Sequence, residues 1–260
     1  MRAQVTVENW DKGGPVSHWV YTHASGLRDV ADMRSGMEGS EMTNNAYRDP
    51  AQKQFQLEAT LGWQPKTGLT EVVRRGDLLG FLRTLKREHK PGETWAYVSS
   101  NTAVLGEVIA RVTGKSLADA VSDNTWSKIG AEHDASWLEN ERAFPIAHAG
   151  MMATLRDLAR FELLFTKSAG PGQRDLVSEK MWQRIFHGRG GTADEHRILP
   201  LSYQWDMLTD KGELAKGGWA GQLLYVNREK NVVIVWAGTN QTADPKLEAL
   251  PCRIIAKAFF

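Results

Sequence analysis

A single cysteine, Cys252, stands in the 260 residues. No intrachain disulfide can form, and a Cys-rich metal site is excluded. Placed in an apolar C-terminal segment, it reads as a small core residue. A surplus of one charge is also missing: 32 basic residues face 31 acidic ones, for a formal net charge of +1. Nothing in that balance points to nucleic acid, an acidic partner or a membrane surface. No apolar run approaches the roughly 20 residues that span a bilayer. Met1-Arg2-Ala3-Gln4-Val5 lacks the apolar stretch of a signal peptide, so a cytoplasmic location is expected. There is no phosphate loop, dinucleotide fingerprint or H-E-x-x-H, and no G-x-S-x-G elbow of an α/β-hydrolase. The seven histidines are scattered, and the pairs His133-Asp134 and Glu195-His196 are adjacent, which keeps them off one helix face. No metal and no cofactor are expected.

What is present is a core-forming composition, 42% hydrophobic with ten tryptophans, whose expected use is packing. Leu78, Phe81, Leu82 and Leu85 share a helical face that ends before His89-Lys90-Pro91-Gly92. Residues 33–65, rich in Gly, Asn, Ser and Asp, read as a long ordered loop. A strong helix begins near Asn101, with Val104, Leu105, Val108, Ile109 and Val112 as its apolar stripe and Gly114 as its stop. Ser116 is the expected N-cap of a further helix ending at Gly130. Thr154-Leu155-Arg156-Asp157 resembles a capping box, opening a helix that buries Leu155, Leu158, Phe161, Leu164 and Phe165. The pattern then turns β-rich: Leu223 to Val226 and Val232 to Trp236 form a hairpin. A closing helix carries Leu247, Leu250, Ile254, Ile255 and Phe259 at helical spacing. The order predicts an α+β fold with helices packed on an antiparallel sheet.

Tyr97-Val98-Ser99 stands just ahead of the strong helix. A tyrosine hydroxyl titrates near pH 10 and needs a cationic neighbour to act as a general base. On spacing alone, Tyr97 packs beneath the helix and Ser99 or Ser100 caps it. The surroundings add to this. Trp95 to Gly106, preceded by Pro91-Gly92 and followed by Thr113-Gly114-Lys115-Ser116, resembles the second motif region of the class C β-lactamase and penicillin-binding-protein-like hydrolases. Leu27 to Met37, Trp126 to Ala135 and Ala149 to Phe161 resemble further segments of that family in the same order, from about residue 15 onward. Met33-Arg34-Ser35-Gly36-Met37, Tyr47-Arg48-Asp49-Pro50, Gly62-Trp63 and Gly130 to Asp134 are most similar to the nylon-oligomer (6-aminohexanoate-dimer) hydrolases and related carboxylesterases.

The resemblance implies a serine hydrolase acting on amide or ester bonds of a small molecule through an acyl-enzyme. Tyr97 would sit between a helical and an α/β domain, and Ser99 would belong to its motif. Lys216-Gly217-Gly218 would be the third motif, its cation steadying the proton network or a substrate carboxylate. A competing register puts Ala220-Gly221 there. Tyr47, Gly217, Gly218 and Gln222 would lie on the substrate side, with backbone N–H groups near Gln222 forming half of an oxyanion hole. A homodimer is left open.

The family's S-x-x-K places a nucleophilic Ser beside its Lys base on one helix face. No serine here has a lysine three residues on, and Ser25-Gly26-Leu27-Arg28 ends in an arginine that does not deprotonate. Asp11 to Val20 resembles the segment that follows the nucleophile helix. The expectation is therefore that the nucleophile helix and the N-terminal strands are missing. Residues 1–25 would be the helix tail and connection, 26–165 the mainly helical domain, and 166–260 the sheet portion with the closing helix. The alternatives are a non-catalytic relative that binds such ligands, or a hydrolase using Ser99 or Ser100.

Overall fold

The computed structural model describes residues 26–43, 45–187, 198–199, 203–209, 212–239 and 245–260; the side chains of 198–199, 207–208 and 245–250 are not among them. The expected helix tail at residues 1–25 and the Glu195-His196 pair lie outside the described residues. Helices are α1 (Leu27–Ala31), α2 (Lys53–Thr60), α3 (Glu71–Arg74), α4 (Leu78–Thr84), α5 (Ser99–Thr113), α6 (Leu117–Asn124), α7 (Leu155–Leu163), α8 (Glu179–His187) and α9 (Pro245–Phe259). Strands are β1 (Ser136–Trp137), β2 (Met151–Met152), β3 (Ile198–Leu199), β4 (Met207–Thr209), β5 (Glu213–Gly218), β6 (Gln222–Asn227) and β7 (Val232–Ala237). The mixture is α+β. The described residues divide into two compact units, one within 26–120 and 137–150, the other within 121–136 and 151–260. The division differs from a boundary at residue 165, because α7 packs on β6 and β7 and so goes with the sheet.

The first unit is helical. Phe81 and Leu82 of α4, Phe55 and Leu57 of α2, Val104 and Val108 of α5 and Ile146 share one core. The four residues read as the α4 face are all buried, as periodicity predicts. Helix α2 lies inside what the composition reads as loop, because its polar residues Gln54 and Glu58 are themselves buried. Helix α5 ends at Gly114 with φ 68, a left-handed C-cap. Its buried face is turned from the expected stripe: Ser100, Asn101 and Ala103 are inside, while Ile109 and Val112 are exposed.

In the second unit β3-β4-β5-β6-β7 form an antiparallel sheet in that order. Leu214 pairs with Val226 and Ala215 with Tyr225. Because side chains alternate between faces, Leu214 and Val226 join Leu164, Phe165, Trp182, Ile185 and Trp205. Ala215, Leu223 and Tyr225 meet Cys252 and Ala256 of α9 on the other face. Cys252 is the buried core residue its context predicts, and burial pushes its thiol up to about 11, with Glu162 adding to the rise. Ile254 and Phe259, read as part of the α9 seam, are exposed, since the shorter Cys252 and Ala256 occupy the contact. The tryptophans divide: Trp182 and Trp205 are core, and Trp63, Trp95, Trp219 and Trp236 are exposed.

Helix α6 opens as expected, with Ser116 Oγ accepting from Asp119 N at 3.0 Å, but it stops at Asn124 and a 3-10 turn covers Trp126–Lys128. Helix α7 opens on Thr154, whose hydroxyl oxygen accepts from Asp157 N at 3.1 Å. Leu155 is exposed, whereas Asp157 and Glu162 are fully buried. Asp157 accepts from Glu132 N at 2.8 Å, from Thr154 Oγ1 at 2.8 Å and from Arg160 at 2.7 Å. These bonds, the Glu132 N–H first, hold its carboxyl down at about 2. A carboxyl depressed from 3.8 stabilises the fold above its unfolded value and loses that contribution as pH falls. Asp157→Asn should therefore melt earlier than the parent at pH 6, with the gap closing between about pH 4 and pH 2. Thermal melts across that range check it, and a pH-independent gap would count against it.

Candidate active site

The Tyr97-Val98-Ser99 segment is held extended by the loop that precedes α2. Ala96 N donates to Met33 O at 3.0 Å, and Glu41 N donates to Tyr97 O at 2.9 Å. Ser99 N donates to Glu41 Oε1 at 2.7 Å, and the Tyr47 hydroxyl donates to Glu41 Oε2. Tyr97 is half-buried, and Val98, Ser99 and Ser100 are buried. Neither serine caps α5. Val98 is the N-cap and makes no side-chain cap bond, so the first helical N–H, that of Ser99, is satisfied by Glu41 instead.

The loop is fixed in turn by Met33-Arg34-Ser35-Gly36-Met37. Glu88 N and His89 N donate to Gly36 O at 2.8 and 3.2 Å, and Gly92 N donates to Arg34 O at 2.8 Å. Met37 N donates to Ser35 Oγ at 3.2 Å. Gly36 has φ 78, and a Cβ there would lie 2.1 Å from His89 O.

Tyr47 belongs to the same cluster. Burial first, then the carboxylates of Glu41 and Glu58 and the neighbouring Tyr97, raise its hydroxyl far above the ordinary tyrosine value. Glu58 accepts from Gln54 Nε2 at 2.8 Å and lies 3.4 Å from His148 Nε2. Trp63 meets the His148 ring edge-on at 6.0 Å. Gln54 Oε1 and His148 Nδ1 are buried without a hydrogen-bond partner. Three site residues, Glu41, Glu58 and His148, escape sequence reasoning. They are brought together only by the fold, and no local spacing marks them.

In the sheet unit Lys216 sits on β5 and Gln222 opens β6, with Gly218 paired to Gln222. A Cβ on Gly218 would stand 2.8 Å from that of Gln222. Ala220 and Gly221 make the turn, with φ 58 and 103. Lys216 Nζ bonds Asp206 Oδ1 at 2.7 Å, and Gly217 N donates to Asp206 Oδ2 at 2.9 Å. Burial raises the Asp206 carboxyl, and Lys216 offsets part of that rise. The cation expected to steady the proton network or a substrate carboxylate is thus paired with Asp206, a carboxylate that the sequence pattern does not mark. Gln222 Nε2 donates to Gly238 O at 2.8 Å, which holds the side chain along β7. Among the described residues no three His, Cys, Asp or Glu side chains are grouped to hold a metal ion. No described helix is long and apolar enough to cross a membrane.

The family model for Beta-lactamase matches residues 8–255. The chain belongs to the Beta-lactamase family. A 6-aminohexanoate-dimer hydrolase of Paenarthrobacter ureafaciens is 29% identical over 240 residues, 86% of this chain and 59% of that protein. The chain therefore spans about three-fifths of that relative. Among solved structures, a Bacillus anthracis protein, whose assignment as a 6-aminohexanoate-dimer hydrolase is itself provisional, aligns at a TM-score of 0.71 with 23% identity. The alignment covers 96% of this chain and 66% of that one. A penicillin-binding protein from Bacillus halodurans aligns at 0.61 with 15% identity over 96% and 80% of the two chains. A class C beta-lactamase aligns at 0.57 with 16% identity over 98% and 79%. At those identities the structures establish the fold: β-lactamase/transpeptidase-like, with helices and an antiparallel sheet.

Proposed function

We propose that this Beta-lactamase family member is the scaffold of an amide- or carboxylester-cleaving serine hydrolase of the 6-aminohexanoate-oligomer type. The observation that carries the reading is the clamped Tyr97-Val98-Ser99 segment ahead of α5, in a chain 29% identical to a 6-aminohexanoate-dimer hydrolase. In this chemistry a serine hydroxyl attacks the carbonyl carbon, and its proton passes to a Lys–Tyr pair. The pair then protonates the leaving amine or alkoxide, and water releases the acyl group from the serine. Tyr97 is the tyrosine of that pair. Lys216 pairs with Asp206, whose other oxygen accepts from Gly217 N, and the pair holds this strand edge for the substrate rather than recognising a substrate carboxylate. Tyr47 in the helical unit, and Gly217, Gly218 and Gln222 in the sheet unit, are the residues assigned to substrate binding on this reading.

The 260 residues hold no Ser-x-x-Lys. On this reading they form no acyl-enzyme by themselves, so a fluorophosphonate or a penicillin should leave the chain unlabelled by intact mass. Stoichiometric labelling would overturn that expectation and turn attention to Ser99 or Ser100. In a form of the protein that also carries the Ser-x-x-Lys helix, Tyr97→Phe should lower kcat by about 10²–10⁴ with little change in KM. A normal kcat would remove Tyr97 from the mechanism. A second reading is a binding protein without turnover. It predicts saturable binding of amide or ester ligands by a protein in which no form turns them over.

A further inference from the structure

We propose that Glu41 is a positioning residue for Tyr97: its carboxylate anchors the Tyr97–Ser99 segment and holds Tyr47 beside it as a hydrogen-bond donor. The proposal rests on the reading of Tyr97 as the proton-transfer group and adds the residue that sets its geometry. Three bonds carry it. The Glu41 backbone N–H donates to Tyr97 O, Oε1 takes the Ser99 N–H, and Oε2 takes the Tyr47 hydroxyl. One residue thus grips the backbone on both sides of Val98 and the side chain of the neighbouring tyrosine.

The arrangement also gives the two tyrosines different surroundings. Glu41, Glu58 and Tyr97 all act on the Tyr47 hydroxyl. A carboxylate that accepts the Tyr47 proton in a hydrogen bond, with a second carboxylate nearby, keeps that hydroxyl protonated. Tyr47 then keeps its proton and serves as a hydrogen-bond donor, while the proton-transfer role stays with Tyr97 on the proposed reading.

The test uses the whole 260-residue chain labelled with 13Cζ-tyrosine and followed by NMR through an alkaline titration. The five tyrosine signals are assigned by single Tyr→Phe replacements. Tyr225, hydrogen-bonded to Glu213 in the sheet unit, serves as the internal reference. Glu41→Gln keeps the size and an acceptor but loses the charge. Tyr47 should begin to ionise about one pH unit or more below its onset in the parent. The Tyr97 signal should shift while Tyr225 stays put. An unchanged Tyr47 onset, or an unmoved Tyr97 signal, overturns the proposal.

Glu41→Asp retains the charge on a shorter arm and gives a second reading should the Gln variant not fold. Tyr47 should stay protonated as in the parent while Tyr97 still moves, and an unmoved Tyr97 again overturns the proposal. A role in folding alone would be rescued by Gln, which preserves the acceptor for Ser99 N. The kinetic test of Tyr97→Phe stands apart. A normal kcat there would refute the functional reading and leave the positioning result intact.

Discussion

Glu162→Gln should stabilise the protein at pH 8 and leave it nearly unchanged at pH 4.5. Glu162 lies on α7 and has no exposed surface. Burial pushes its carboxyl up to about 10 from 4.5, and the backbone of Tyr225 offsets only part of the rise. At neutral pH the folded protein therefore keeps the side chain protonated, while the unfolded chain releases the proton. The folded state then binds more protons, so stability falls as pH rises from about 4.5 towards about 10. At pH 7 the cost follows from the distance between solution pH and the unfolded value. At about 1.4 kcal/mol per unit, it is on the order of 3 kcal/mol. An amide does not ionise and escapes this cost. Urea melts of both proteins at pH 4.5, 6 and 8 should show a gap that widens with pH. A gap of constant size would mean that Glu162 finds a partner for its charge.

Gly36→Ala should cost more than any neutral change elsewhere in the loop. A left-handed φ costs a non-glycine residue about 1–2 kcal/mol. Gly36 adds a collision, since the new Cβ would stand 2.1 Å from the His89 carbonyl oxygen. Backbone cannot step aside as a flexible side chain would. Overpacking of this kind adds about 1–3 kcal/mol. Gly62→Ala is the matched control, with φ 89 and nothing within 4 Å of the new methyl group. The difference between the two urea midpoints isolates the close approach. Equal losses would show that the 88–92 turn moves freely away. A large loss at Gly36 should also disturb Tyr97, because the 33–37 segment is tied to residues 88–96.

Where one face of an element meets one core, the sequence was readable. The α4 face, the β6–β7 hairpin, the Gly114 stop and the Thr154 cap all follow from side-chain period or from one residue's backbone preference. Readability failed where polar groups were carried inside. Helix α2 was hidden because Gln54 and Glu58 are buried, and the α7 face was read only in part: Leu164 and Phe165 are buried as expected, but Asp157 and Glu162 point inward where Leu155 does not. The site divides in the same way. Tyr97 and Lys216 stood out by motif resemblance. Glu41 and Asp206 did not, since each acts on a residue that local pattern cannot link to it. Glu41 meets Ser99 across 58 residues, and Asp206 meets Lys216 across a strand connection.

That long reach bears on the order in which the molecule assembles. Most bonds of α5 are local and can form within the chain's earliest structure, but its first turn is completed from a residue 58 positions away. Bringing such distant groups together carries a loop-closure entropy that local contacts do not. The Glu41–Ser99 bond is therefore expected to form after the local bonds of α5. Weakening the Glu41 anchor would then act on the unfolding rate more than on the folding rate.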